Sequence, residues 1–238
     1  MTDGDADPSI AAHRLLGDGR STALLRPDGQ IDWWCAPEVD SPPLLWSLLD
    51  PGGAAARWAD VRMVSRSQLP AGPTAHTVLR HRSGARVECW DGLVGIGGAE
   101  ALVRAVRAPG RNPLVLTHEL ALGGFDGPWG PWSAMRSTLA DTDVWASAAT
   151  GSTDDGRWLR VALAVEPQRW SVLAVVVGAD VDPVDEAELV DRLASTEAEH
   201  DAILGSARLP RHHPERSRDA LAVLRTCTDR RTGAVVAS

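Results

Sequence analysis

Apolar and polar positions alternate with a period of two through much of this chain. The runs Thr22 to Arg26, Gln30 to Cys35, Thr77 to Arg82, Ala85 to Trp90, Ala101 to Arg107, Leu114 to Leu122, Trp158 to Val165 and Trp170 to Val177 read as strands. Clusters of Gly, Pro, Asp and Ser separate them, and Pro27-Asp28-Gly29 between the first two predicts a hairpin turn. Short strands at such spacing predict a mostly β fold, a large antiparallel β-sandwich over residues 10–181. Residues 1–9 are small and acidic and are expected to be disordered.

From residue 182 the period changes to that of a helix. Asp182-Pro183-Val184-Asp185-Glu186 places acidic residues at a helix start, where the macrodipole favours them, and the helix should run to about Ile203 or Leu204. A second helix is predicted from Pro214 to Thr226, so residues 182–238 form a helical tail.

Composition narrows the function classes. The net charge is −8 and all 24 cationic residues are dispersed arginines, which argues against a nucleic-acid partner. The longest apolar runs, such as Leu173 to Gly178, are too short to span a bilayer, so no membrane partner is expected. No signal-peptide pattern opens the chain, and the 3 cysteines (Cys35, Cys89, Cys227) are odd in number; a cytoplasmic protein with reduced thiols is expected. Cys35 and Cys89 fall in strands, as packed thiols. His212-His213 has no partner at metal-binding spacing, and neither a phosphate loop nor a nucleophile elbow appears; no metal and no cofactor are expected. With 10 Trp, 1 Phe and no Tyr, the aromatic side chains are nearly all indoles, suited both to cores and to stacking on flat ligands.

Gly17-Asp18-Gly19-Arg20 and Asp28-Gly29-Gln30-Ile31-Asp32-Trp33 resemble, in order and spacing, the N-terminus of bacterial glucoamylases and trehalases of glycoside hydrolase family 15. Val87 to Asp91, Leu102 to Val106, Phe125-Asp126, Arg216 to Leu221 and Thr232 to Ala237 extend the resemblance along most of the chain. It implies a super-sandwich of the kind that precedes a helical toroid in those enzymes. The family's catalytic carboxylates lie in the toroid, which this sequence does not reach, so it is not expected to act as a glycosidase by itself. The family's loop Pro-Arg-Phe-Asp reads Pro37-Glu38-Val39-Asp40 here.

Glu38 and Asp40 are therefore candidate acid and base, two carboxyls two residues apart; Asp40-Ser41-Pro42 is otherwise a cap on a turn or helix before Leu44. His118 shares an apolar strand face with Leu114, Leu116, Leu120 and Leu122, either as a core histidine or as a base in a cavity between the sheets. Trp33, Trp34, Trp90, Asp91, Asp126, Trp129 and Trp132 are candidate ligand-binding residues. The loop Phe125 to Trp132 is a lid or rim, or else a cap on the sandwich. The expected function is binding of a small organic molecule, a sugar or other metabolite, with acid–base assistance to a cyclisation or isomerisation in specialised metabolism. The alternatives are a non-catalytic carbohydrate-binding module and an accessory subunit that docks through an apolar patch at Val184 to Leu193 and Leu221 to Val236. A homodimer through the same surface is the milder form of the latter.

Overall fold

A computed structural model describes residues 8–66, 71–124, 129–133, 135–139, 142–147, 151–153, 156–178 and 185–235. In chain order the strands are β1 (Arg14–Gly17), β2 (Thr22–Leu25), β3 (Ile31–Cys35), β4 (Pro43–Leu45), β5 (Ala56–Trp58), β6 (Val61–Arg66), β7 (Ala71–Gly72) and β8 (Thr74–His81). They continue as β9 (Arg86–Ile96), β10 (Ala99–Arg107), β11 (Leu114–Ala121), β12 (Arg136–Leu139), β13 (Thr142–Ser147), β14 (Gly151–Thr153), β15 (Trp158–Val165) and β16 (Ser171–Val177). Two helices follow, α1 (Glu186–Ser206) and α2 (Pro214–Thr226). The expected helix start at Asp182 to Val184 lies outside the described residues.

The strands form two sheets. The first runs β14-β15-β11-β5-β3-β2-β1-β7, with β4 beside β3; the second runs β12-β13-β16-β10-β9-β8-β6. Among the described pairs all are antiparallel except β1 with β7. The Arg26–Gln30 turn closes as the sequence predicts: Arg26 N–H donates to Gln30 O (2.8 Å) and Gly29 takes φ 87°.

The inner faces meet in one apolar core built from Leu16, Leu25, Ile31, Trp34, Leu79, Leu93, Leu102, Leu116, Leu120 and Leu173, among others. The second sheet is covered on its other face too. Val94, Ala101, Val103, Ala105, Val172, Ala174 and Val176 point away from the sandwich and pack under Leu189 and Leu193 of α1. Central strands covered on both faces read as near-continuous apolar runs, as in Leu173 to Val177. The helical tail is thus a third layer, and α2 fixes its end through Leu204, Ala222 and Ala71.

Strand β9 is longer than the sequence predicts, which ended it at Trp90. Asp91-Gly92 looks like a turn but runs on as strand, for two reasons. Asp91 stands directly opposite Arg104 in the register, and Gly92 leaves the space that α1 fills: a Cβ there would lie 2.5 Å from Leu193 Cδ2 and 3.0 Å from Pro73 O. Gly92→Val should therefore lose about 1–3 kcal/mol from overpacking. Gly95→Ala, whose Cβ meets nothing nearer than Ala99 O at 4.0 Å, should change stability by about 0.5 kcal/mol or less. Urea denaturation of the pair checks this, and equal effects would rule out the packing explanation.

Candidate functional site

The segment Gly17 to Ser21 makes a tight turn that other elements hold in place. Asp18 Oδ1 accepts the N–H groups of Arg20 (2.8 Å) and Ser21 (3.1 Å), the side-chain-to-backbone turn for which Asp is suited. Gly19 takes φ 84° and presses against the Arg230 side chain, while its carbonyl accepts Arg230 N–H at 2.7 Å. A Cβ on Gly17 would lie 2.6 Å from Thr226 Cγ2, so the end of α2 sits directly on β1. Arg20 then reaches out: Nε donates to Glu38 Oε1 at 3.3 Å and Nη1 to Ala99 O at 3.4 Å.

A cleft of 580 Å³ opens on this turn. Its walls come from Asp18, Gly19 and Arg20; from Glu38; from Val94 and Gly95 at the end of β9; from Arg192, Ser195 and Thr196 of α1; and from Asp229, Arg230 and Arg231. An adjoining cleft of 300 Å³ shares the turn, Thr196, Asp229 and Arg230, and adds His200 and Arg225. Arginines outnumber carboxylates in the larger cleft, and no aromatic side chain lines it.

Besides Asp18, two more of its charged groups are engaged in holding local structure. Arg192 is held by Glu188 Oε1 (2.7 and 3.0 Å) and Gly95 O (3.1 Å). Asp229 Oδ1 accepts Thr232 N–H (2.6 Å), Thr232 Oγ1–H (2.8 Å) and Arg231 N–H (2.9 Å), and the Thr232 backbone bond holds its carboxyl below the usual range. By contrast, among the described residues the guanidinium groups of Arg20 and Arg230 make long contacts, the latter at 3.5 Å to Glu199.

Behind the turn, Glu100 is fully buried on the inner face of β10. Ser21 Oγ donates to its Oε1 at 2.9 Å, and Trp34 Nε1 points at the same Oγ from 3.4 Å. Burial, reinforced by Asp18, pushes the carboxyl well above its ordinary range.

The residues singled out from sequence do not converge on one place. Glu38 lines the cleft; Asp40 is exposed and lies outside its lining. Ser41 N–H donates to Glu38 O and Ser41 Oγ accepts Glu38 N–H, so this loop closes a turn and leads into strand β4 and not into a helix. His118, Asp91 and Trp34 are fully buried between the sheets. Arg104 brings the first two together, bonding Asp91 Oδ1 through Nε (2.7 Å) and His118 Nε2 through Nη1 (3.1 Å). Burial and the Arg104 charge push the His118 pKa well down, leaving a neutral core histidine.

Trp33 is half-buried on the first sheet. Trp90 lies under the α1 side of the second sheet, stacked on His76 at 4.8 Å and tilted against Trp170 at 5.8 Å. Trp132 is buried in the inter-sheet core, and Trp129 packs on Trp46 (5.6 Å) at its margin, with the Arg157 guanidinium 3.3 Å from the centre of its ring. Asp126 lies outside the described residues. Of the segments expected to form a docking patch, Leu189 and Leu193 are buried on the chain's own second sheet, while Val223, Leu224 and Val235 are exposed. Sequence reasoning named Arg20 only as part of the resemblance motif and did not single out Arg230, Arg231 or Glu100. Among the described residues no cluster of His, Cys, Asp or Glu is built to hold a metal ion. Nor is any described helix long and apolar enough to cross a membrane.

Residues 2–110 match the family of trehalase-like N-terminal domains. A 43-residue segment is 40% identical to a trehalase of Mycobacterium tuberculosis, covering 18% of this chain and 6% of that enzyme. Similar solved structures include the Slr1438 protein of Synechocystis sp. PCC 6803, at 12% identity and TM-score 0.42, covering 76% of this chain and 99% of that one. A putative kojibiose phosphorylase from human microbiome covers 90% of this chain and 36% of that one, at 7% identity and TM-score 0.36.

Proposed function

We propose that this trehalase-like N-terminal sandwich is a binding domain for a small organic acid, held in the cleft between the Gly17–Ser21 turn, α1 and the loop after α2. The observation that carries this reading is the state of Arg20. Its guanidinium stands at the cleft wall with a charge and five donors, yet among the described residues its two contacts are long. A carboxylate or phosphate on a ligand can take both forks of such a group, and Arg230 and Arg231 stand in the same cleft. Hydroxyls of the ligand would meet Ser195, Thr196 and the cleft carboxylates. With no aromatic side chain present, the cleft lacks the flat platform on which neutral sugars stack. Acid–base assistance to a cyclisation or isomerisation would draw on Glu38 and Asp18, the carboxylates nearest Arg20 in the wall.

Thermal-shift and calorimetric titration against organic acids, phosphorylated metabolites, trehalose and maltooligosaccharides tests the reading. An acid-bearing ligand should raise the melting temperature, and Arg20→Ala should weaken it roughly 10- to 100-fold, the loss of one charge-assisted bond. Neutral sugars binding as well as the acids, or Arg20→Ala binding as tightly as the parent, would overturn it.

One observation favours a carbohydrate-binding module instead. Trp170 borders a cleft of 410 Å³ together with Gln168, Asp185, Glu186 and Asp191, an indole flanked by planar polar groups. The neutral sugars in the same titration distinguish the two sites, since only this one would respond to them through Trp170.

A further inference from the structure

We propose that Glu100 is a positioning residue for the cleft: its proton decides whether the Arg20 guanidinium faces Glu38 or turns inward to the sheet. The proposal builds on the cleft reading, in which Arg20 is the anchor for the ligand's acid group. Among the described residues Glu100 Oε1 accepts one bond, from Ser21, and Oε2 has no hydrogen-bond partner. A fully buried carboxyl with one donor is poorly solvated as an anion.

Ser21 directly follows Arg20 in the turn, and Arg20 Nη1 already contacts the carbonyl of Ala99, the residue before Glu100. Arg20 therefore spans from Glu38 in the cleft wall to the backbone of Glu100's own strand. The charged groups acting on Glu100 are Asp18, Arg20 and Glu38. On the flanking strands its register partners are Gly95 and Val177, neither of which titrates. Asp18 and Glu38 both oppose a second negative charge there, and burial opposes it more strongly.

With the proton in place, Glu100 makes no ionic demand and Arg20 stays with Glu38. Once the proton leaves, a buried anion is left within reach of the Arg20 charge in a medium of low polarity, where the attraction is strong. Arg20 then moves off Glu38, and the cleft loses its anchor. Occupancy by an acid-bearing ligand is thereby tied to proton retention on a side chain that the ligand never touches.

The test needs no ligand, so its failure is separable from failure of the binding reading. Glutamate side-chain carbons and arginine Nε–H groups are followed by NMR as the pH of the whole protein is raised. Glu100 should titrate well above the 4.5 of an ordinary glutamate, and Arg20 Nε–H should shift with the same midpoint. Arg192, clamped by Glu188, should show no transition at that midpoint. In Glu100→Gln the Arg20 transition should vanish.

Stability gives a second readout with a defined sign. The folded-state pKa is raised, so the contribution of this group is full below about 4.5 and is lost as the pH rises through the folded value. Glu100→Gln should therefore melt progressively higher than the parent toward alkaline pH, with the gap closing toward pH 4.5. A Glu100 midpoint near 4.5, an Arg20 transition that survives in the Gln variant, or a pH-independent gap would each overturn the proposal.

Discussion

Arg104→Leu is expected to destabilise the fold by about 3–5 kcal/mol, the loss typical when one partner of a buried ion pair is removed. Arg104 and Asp91 are both without solvent exposure, with Nε 2.7 Å from Oδ1. The same guanidinium donates to the carbonyls of Gly29 and Ala56 and to His118 Nε2, and it lies 5.2 Å over the Trp58 ring. Asp91 and Arg104 belong to the second sheet, whereas Ala56, Trp58 and His118 belong to the first and Gly29 to the turn that joins its strands β2 and β3. One side chain thus satisfies the polar groups of both sheets at mid-core. Its removal leaves a fully buried carboxylate without its cation and takes a donor from two backbone carbonyls.

The double variant Arg104→Leu/Asp91→Leu should recover part of the loss, because most of the penalty is the uncompensated charge and not the absence of the pair. Urea denaturation of the single and double variants decides it. A single variant within about 1 kcal/mol of the parent would mean that the pair is not a structural tie.

Trp34→Ala should cost a similar amount, about 3–5 kcal/mol, as a large core side chain replaced by a cavity. Trp34 has 0% exposure and packs in the inter-sheet core. Its Nε1–H is the group that points at Ser21 Oγ from 3.4 Å, so its loss also slackens the turn that carries Arg20. Trp34→Phe, which keeps most of the ring, should lose much less. If Trp34 lined a ligand pocket between the sheets, the Ala variant would keep its stability and lose affinity. Denaturation and ligand titration of the same variants separate the two outcomes.

The parts of this fold that were legible in the sequence are those where one residue type repeats at the period of its element. Trp158–Val165 alternates buried and half-exposed or exposed positions along the whole strand, and its ends match the alternation seen in sequence. Strand β11 keeps Leu116, His118 and Leu120 inward and turns Glu119 outward to Arg57 and Arg160, as its pattern indicates. Strands of 2 or 3 residues, such as β4, β5 and β7, are too short to show a period and passed unread.

The site was harder to see because its residues come from five separate segments, of which only Gly17 to Arg20 belongs to a motif. Glu100 follows Gly97-Gly98-Ala99 and looks like part of a turn; only its register against Gly95 and Val177 places it inside the sheet. The sequence did carry a signal for Arg104. A cation in the middle of a strand that is apolar on both faces around it has to find a buried anion, and the Asp on the neighbouring strand supplies it. The tryptophans show the opposite case: composition gave their number, but only packing separates Trp34 and Trp132 in the core from Trp33 and Trp170 at its margin.

The most direct test of ligand binding in the cleft is a crystal structure with the tightest-binding acid of the panel. The acid group should lie within hydrogen-bond distance of the Arg20 guanidinium, between the Gly17–Ser21 turn and α1. Density for the ligand between the two sheets, or against Trp170 with Arg20 still on Glu38, would contradict it.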